Sequence, residues 1–255
     1  MTDPHAQFIA ERNQAMAAQA KNPELQQASS NFLEQSIGSR YSYNFSWLGR
    51  PIIQYPQDIL AFQEIVFSVK PDLIIETGVA HGGSIVLSAS LLAMLDMSES
   101  IAPENSKRKV IGIDIDIRRH NREALDSHFL RRYIELFECS SIAPESARKS
   151  RELASTRPRV LVCLDSNHTH QHVLDELKIY TPLVTPESYC IVFDTIVERL
   201  PHGTFDDRPW DVGNNPMTAV DAFLAEDNSF IVDEAIDNKL LVSVAPRGYL
   251  KKKSL

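Results

Sequence analysis

A short apolar run, Leu73-Ile74-Ile75, stops at Glu76, and Thr77-Gly78-Val79-Ala80-His81-Gly82-Gly83-Ser84 follows at once. A run this short and this apolar suits a strand covered on both faces, as in a parallel sheet. Pro71 marks its start. Gly78 permits a tight turn with positive φ, and Gly82 and Gly83 allow close backbone approach. Ser84 to Leu95 then reads as a largely apolar helix. Strand, glycine turn and helix in this order direct the chain to an α/β fold that holds ligands at its strand ends.

The same turn restricts the ligand. Val79 and Ala80 separate Gly78 from the next glycines, so G-x-G-x-x-G is absent, and no Lys-Ser/Thr pair follows Gly83. A carboxylate at Glu76 repels a pyrophosphate and suits a cationic amino-acid moiety. S-adenosylmethionine carries an ammonium and a sulfonium and no phosphate, so it is the expected cofactor. The plainer alternative is a loop whose glycines serve packing only. Lys109-Val110-Ile111-Gly112-Ile113-Asp114 is a second buried run ending in an acid, where such folds bind ribose hydroxyls. Asp114 is the expected ribose ligand. Its distance from Gly78 exceeds the usual spacing of about 20 residues, and the polar stretch Asp96–Arg108 accounts for the excess. Asp116 is the expected N-cap of the next helix.

From Leu73 onward strands and helices alternate. Strands are expected at Leu73–Glu76, Lys109–Asp114, Tyr133–Phe137, Val160–Leu164, Tyr189–Phe193, Phe230–Asp233 and Leu240–Val244. Helices are expected at Asp58–Val69, Ser84–Leu95, Arg118–Ser127, Pro144–Ser155, His172–Tyr180 and Pro216–Ala225. This alternation gives a mostly parallel seven-stranded sheet between helical layers. The last two strands, joined at Asp237-Asn238, would close it as an antiparallel hairpin. The expectation is a Rossmann-like α/β fold of the class I methyltransferase type over residues 51–255. Residues 1–50 form a helical and aromatic extension ending in Tyr41-Ser42-Tyr43-Asn44-Phe45-Ser46-Trp47.

A formal charge of −8 gives no support for nucleic-acid binding. No apolar stretch approaches the ~18 residues of a membrane span, and the polar N-terminus lacks a signal-peptide core. Cys139, Cys163 and Cys190 are dispersed and read as free thiols of a reducing compartment. A cytoplasmic protein that self-associates through its aromatic N-terminal region is the expectation. Lys251-Lys252-Lys253 reads as a solvated tail.

Two further runs end in acids. Val160–Leu164 leads into Asp165-Ser166-Asn167-His168-Thr169-His170-Gln171-His172, and Tyr189–Phe193 into Asp194-Thr195. On neighbouring parallel strands, about 4.8 Å apart, Asp165 and Asp194 could each give an oxygen to one ion. Hard oxygen ligands suit Mg²⁺, which lowers the pKa of a bound oxygen. His168, three residues after Asp165, suits a base that takes a hydroxyl proton. His168, His170 and His172 would share a zinc only on an extended segment, and the last two more readily enter the next helix. The loop Glu198–Asn215 is long enough to close over an acceptor.

As an ordered set these residues resemble the cephalosporin hydroxylase family. The set comprises Pro71–Gly78, His81-Gly82-Gly83-Ser84, Ile111–Asp116, Asp165–His170, Phe193-Asp194-Thr195, Asn214-Asn215-Pro216, Asp237–Leu241 and Gly248–Lys251. The likeness covers about Trp47 to Lys252. It implies an S-adenosylmethionine-dependent methyltransferase fold whose relatives methylate macrolide sugars and rhamnosyl glycolipids. It also implies that Glu76, Gly78, Ser84 and Asp114 meet the cofactor, and that Ser140 and Ser141 lie near the adenine edge; Gly82, which allows close backbone approach, is the further expected cofactor-binding residue. Asp165 and Asp194 fall on magnesium ligands, and His168 on the base. The acceptor is then a hydroxyl of a sugar or glycoside. One position departs: macrolide-sugar relatives carry Glu-Asp where this chain has Phe193-Asp194, which leaves Thr195 as a candidate replacement ligand. The alternatives are a non-haem oxygenase, as the family name suggests, and a cofactor-binding protein without turnover. The two-histidine, one-carboxylate set of an oxygenase lacks its usual H-x-D/E spacing here.

Overall fold

The computed structural model describes residues 3–254. Seven strands form the central sheet: β3 (Leu73–Thr77), β4 (Lys109–Asp114), β5 (Ile134–Glu138), β6 (Val160–Leu164), β7 (Tyr189–Val192), β8 (Phe230–Val232) and β9 (Tyr249–Lys252). Their order is β5-β4-β3-β6-β7-β9-β8. The first five are parallel, and β9 runs antiparallel between β7 and β8. The order reverses at β3, where β4 and β6 lie on either side, so a crevice opens at the carboxyl ends of these strands.

Alternation along the strands builds one core on each face. Ile74, Val110, Leu161, Cys163 and Ile191 pack with α3 (Pro56–Val69) and α4 (Gly83–Ser98). Leu73, Ile75, Ile111, Val162 and Val192 pack with α7 (His170–Tyr180) and α8 (Pro216–Glu226). The helices start where the backbone is prepared for them. Pro56, Pro144 and Pro216 open α3, α6 (Pro144–Ala154) and α8, where the missing N–H costs nothing. Asn215 adds a capping box with Thr218.

The N-terminal residues form α1 (Pro4–Ala20), α2 (Pro23–Gly38) and a hairpin of β1 (Phe45–Trp47) and β2 (Arg50–Ile52). A boundary at residue 50 therefore falls inside a paired hairpin. The hairpin sits on the start of α4: a Cβ on Gly83 would lie 2.2 Å from the Pro51 carbonyl oxygen.

Three sequence expectations are corrected. Leu240–Val244 is no strand. Asp233 caps α9 (Glu234–Leu240), which contains Asp237-Asn238, and the closing strand is β9. Lys251 and Lys252 belong to that strand rather than to a solvated tail. Lys252 Nζ donates to the Val184 carbonyl at 2.7 Å and lies over the Phe230 ring. Asp116 does not cap a helix either: α5 (Arg119–Asp126) starts after Arg118.

Candidate active site

The loop after β3 is shaped by its glycines. Gly78 has φ +87°, and a Cβ there would lie 2.0 Å from the Asp165 carbonyl oxygen. Gly82 has φ +82°, and a Cβ would meet Leu125 at 2.8 Å. Ala80 also takes positive φ, at 45°. Polar side chains hold this shape from outside the loop. Val79 N–H donates to Asp114 Oδ2 at 2.8 Å, and Asp116 N–H to Asp114 Oδ1 at 3.1 Å. The Arg50 guanidinium donates to the His81 carbonyl at 2.9 and 2.6 Å and to Asn121 Oδ1 at 2.7 Å. Asn121 Nδ2 donates to the Ala80 carbonyl at 2.8 Å. No motif marks Arg50 or Asn121 in the sequence, and both act from distant elements.

Glu76 is the penultimate residue of β3 and turns into a cavity beneath α3 and α4. Gln54, Asp58, Phe62, Ser84, Ser88 and Phe193 line this cavity with it. Ser88 Oγ donates to Glu76 Oε2 at 3.2 Å. Burial pushes the Glu76 carboxyl up to about 7, against the pull of the Ser84 and Ser88 hydroxyls. Asp58, which lines the same cavity, is raised to about 6 by burial. It still accepts from Ser243 Oγ at 2.6 Å, Tyr249 OH at 2.6 Å and Val244 N–H at 3.0 Å.

Asp165 and Asp194 follow adjacent strands. Asp165 N–H bonds to the Thr77 carbonyl at 3.0 Å and Phe193 N–H to the Leu164 carbonyl at 3.0 Å, which extends the ladder to Asp165 and to the residue before Asp194. Asp194 has φ 55°, left-handed backbone that an aspartate tolerates better than most residues. His168 Nε2 lies 3.0 Å from Asp194 Oδ2. One ligand atom from each of Asp165, His168 and Asp194 lies within 4.8 Å of the others, a spacing that fits one metal ion. The electrostatics agree. Burial, then Asp194, Glu76 and Glu176, push the Asp165 carboxyl well above the usual range. Its side-chain partner is the neutral Gln54 Nε2 at 3.3 Å, and Gln54 Oε1 is buried without a partner. A divalent cation would relieve this concentration of negative charge. The Thr195 hydroxyl is buried and donates to the Pro246 carbonyl at 2.7 Å. Phe193 faces the Glu76 cavity. His170 Nδ1 pairs with Thr218 Oγ1 at 2.8 Å, and His172 points elsewhere, so the three histidines do not converge.

His172 marks the far side of the crevice. Its Nε2 lies 3.0 Å from Ser141 Oγ and 3.2 Å from Ser166 Oγ. Ser166 Oγ also donates to the fully buried Glu176 at 2.7 Å. Ser141 is further fixed through its carbonyl, which accepts from Tyr180 OH at 2.6 Å. Ser140 precedes it in the loop that follows β5, and its carbonyl accepts from Ser146 Oγ at 2.8 Å. Ile115, directly after Asp114, leaves 74% of its surface exposed.

Strand order, reversal point and glycine loop define a class I methyltransferase fold. The family model described as Rhamnosyl O-methyltransferase/CmcI matches residues 39–253. The rhamnosyl O-methyltransferase of Mycobacterium tuberculosis (strain H37Rv) is 30% identical over 196 residues, which cover 76% of this chain and 72% of that protein. The Mycobacterium leprae protein of the same name is 28% identical over 213 residues, covering 82% and 83%. Among solved structures, CmcI-N160 with S-adenosylhomocysteine superposes with a TM-score of 0.53 at 17% identity, covering 82% of this chain and 83% of that one. The chain belongs to the rhamnosyl O-methyltransferase/CmcI family, and it is an S-adenosylmethionine-dependent O-methyltransferase.

Proposed function

We propose that this enzyme methylates a hydroxyl group of a sugar or glycoside with the help of a divalent ion, Mg²⁺ being the expected one. The observation that carries the reading is the Asp165–His168–Asp194 cluster at the ends of β6 and β7. It stands in the crevice beside the glycine loop, and it supplies both charge for an ion and an imidazole for a proton. The names of the curated relatives support a rhamnosyl-type acceptor.

In this reading Asp114 holds the ribose, and Ile115 offers an apolar face to the base. Ser140 and Ser141 border the adenine edge. Glu76, with Ser84 behind it, attracts the ammonium end of the cofactor, and the backbone at Gly78 and Gly82 lets it approach. Asp165 and Asp194 would hold the ion. S-adenosylmethionine supplies an activated methyl group, and a divalent ion supplies positive charge that makes a hydroxyl more acidic. His168 Nε2 lies 3.0 Å from Asp194 Oδ2; with Asp194 engaged by an ion, that nitrogen would be released to take the proton of a hydroxyl beside the acids. The chain's main contribution is orientation of the two reactants. Calorimetric titration with S-adenosylhomocysteine, with and without Mg²⁺, followed by a methyl-transfer screen of rhamnosides, tests the reading. Methyl transfer to a rhamnoside supports it. Cofactor binding with transfer only to non-sugar hydroxyls would remove the sugar acceptor. Loss of ion binding in His168→Ala would reassign His168 from base to ligand.

A further inference from the structure

The chain has two tryptophans, and they are used differently. Trp47 Nε1 donates to Ser90 Oγ at 3.0 Å and ties the N-terminal hairpin to α4. Trp210, in the loop after β7, has no such bond: no hydrogen bond among the described residues engages its N–H. It lies against a ring and a cation. Its ring centroid lies 4.7 Å from that of His168, at an interplanar angle of 86°. The Arg208 guanidinium lies 5.4 Å from the indole centroid.

The loop does not need this indole for its shape. Asn214 Nδ2 donates to the Pro209 carbonyl at 2.8 Å, and Asn215 Nδ2 to the Asp211 carbonyl at 2.9 Å, so the backbone is pinned on both sides of Trp210. Gly213 N–H donates to Glu198 Oε2 at 2.8 Å, and Asn215 Nδ2 bonds the same carboxylate. His170 N–H donates to Asn214 Oδ1 at 3.0 Å, which fastens the loop to the start of α7. A rigid loop thus delivers a half-buried indole to the imidazole of the reacting cluster. A large apolar face with one unused donor matches a pyranose, which presents a patch of C–H groups on one face and hydroxyls around its rim.

We propose that Trp210 is the acceptor-binding wall of the site, with its indole stacked on the sugar ring whose hydroxyl reaches His168. This rests on the reading of the enzyme as a sugar O-methyltransferase. The test uses a Trp47→Phe background, in which Trp210 is the only indole, with the protein saturated in S-adenosylhomocysteine and methyl α-L-rhamnopyranoside as probe. The expected results are a change in Trp210 emission on adding the rhamnoside, rhamnoside affinity kept within about threefold in Trp210→Phe, and a loss of about tenfold in Trp210→Ala. S-adenosylhomocysteine affinity stays unchanged in all variants and serves as the check on folding. Rhamnoside binding as tight in Trp210→Ala as in the parent overturns the proposal. So does binding, seen by calorimetry, that leaves the emission untouched. Cofactor binding with no rhamnoside binding overturns the sugar wall alone, whereas absent cofactor binding in the parent removes the underlying reading as well.

Discussion

Glu76 and His168 show how single side chains divide the work. The Glu76 carboxyl titrates near 7 in the folded chain, against about 4.3 for an ordinary glutamate. Between these values the folded state binds more protons than the unfolded one. The group's stabilising contribution is therefore complete below about 4.3 and is lost as pH rises through about 7. Glu76→Gln removes this titration, so its urea midpoint should fall less than that of the wild type between pH 5 and pH 8. Cofactor binding runs the other way, because an ammonium favours the ionised carboxylate. Wild-type affinity for S-adenosylhomocysteine should climb as pH rises through about 7, while Glu76→Gln binds weakly and without that slope. A parallel pH dependence in both proteins would show that the ammonium sits elsewhere. His168 has a different signature. His168→Ala should lower kcat by about 10²–10⁴-fold, the usual worth of a positioned base, with cofactor affinity unchanged. Undiminished turnover would remove His168 from the chemistry.

At the scale of elements, the glycine loop is held by strain tolerance and by ties from afar. Gly78→Ala combines positive φ with a Cβ 2.0 Å from a carbonyl oxygen, so the loop and the start of the Asp165 segment cannot both keep their places. A loss of at least about 2 kcal/mol in denaturant unfolding is expected, together with loss of cofactor binding. Arg50→Ala leaves the loop backbone possible but removes the guanidinium from the His81 carbonyl and Asn121. Cofactor affinity should fall about tenfold, the worth of a charge-assisted bond, and calorimetry measures it directly. The two cases also separate what the sequence discloses from what it hides. Gly78 is legible because only glycine suits a turn between a buried strand and a helix, and the acids are legible because each ends an apolar run. Arg50 and Gln54 are hidden, since nothing local distinguishes an arginine that meets a loop carbonyl from one in water. The last strand is hidden for a related reason. Leu240-Leu241-Val242 is apolar enough for a strand, yet Asp233 starts a helix that ends at Leu240, and Leu240 and Val242 then pack with the core. The true strand hides behind lysines, whose aliphatic stems can lie along a sheet while the charge finds a partner, as Lys251 does in Glu187 at 2.8 Å.

For the whole molecule, the acid cluster links parts of the chain that are far apart in sequence. Asp165 follows β6, Asp194 follows β7, His168 leads into α7, and Gln54 arrives from just beyond the N-terminal hairpin. An ion bound by the two acids would therefore fasten several elements at once, and its binding energy would appear as folding stability. At an ion concentration of about 100 times Kd the gain is about 2.7 kcal/mol, or roughly 5–10 °C in Tm for a chain of this size. Asp194→Asn should lose this gain. It should also raise the stability of the ion-free protein, because Asp194 is one of the charges that push the Asp165 carboxyl up, and removing a like charge relieves that repulsion. The order of melting would thus invert: without ion the Asn variant melts at or above the wild type, and with Mg²⁺ the wild type melts higher. Equal shifts with Mg²⁺ in both proteins would place the ion away from Asp194, and no shift in the wild type would mean that the carboxylates serve the acceptor without a metal.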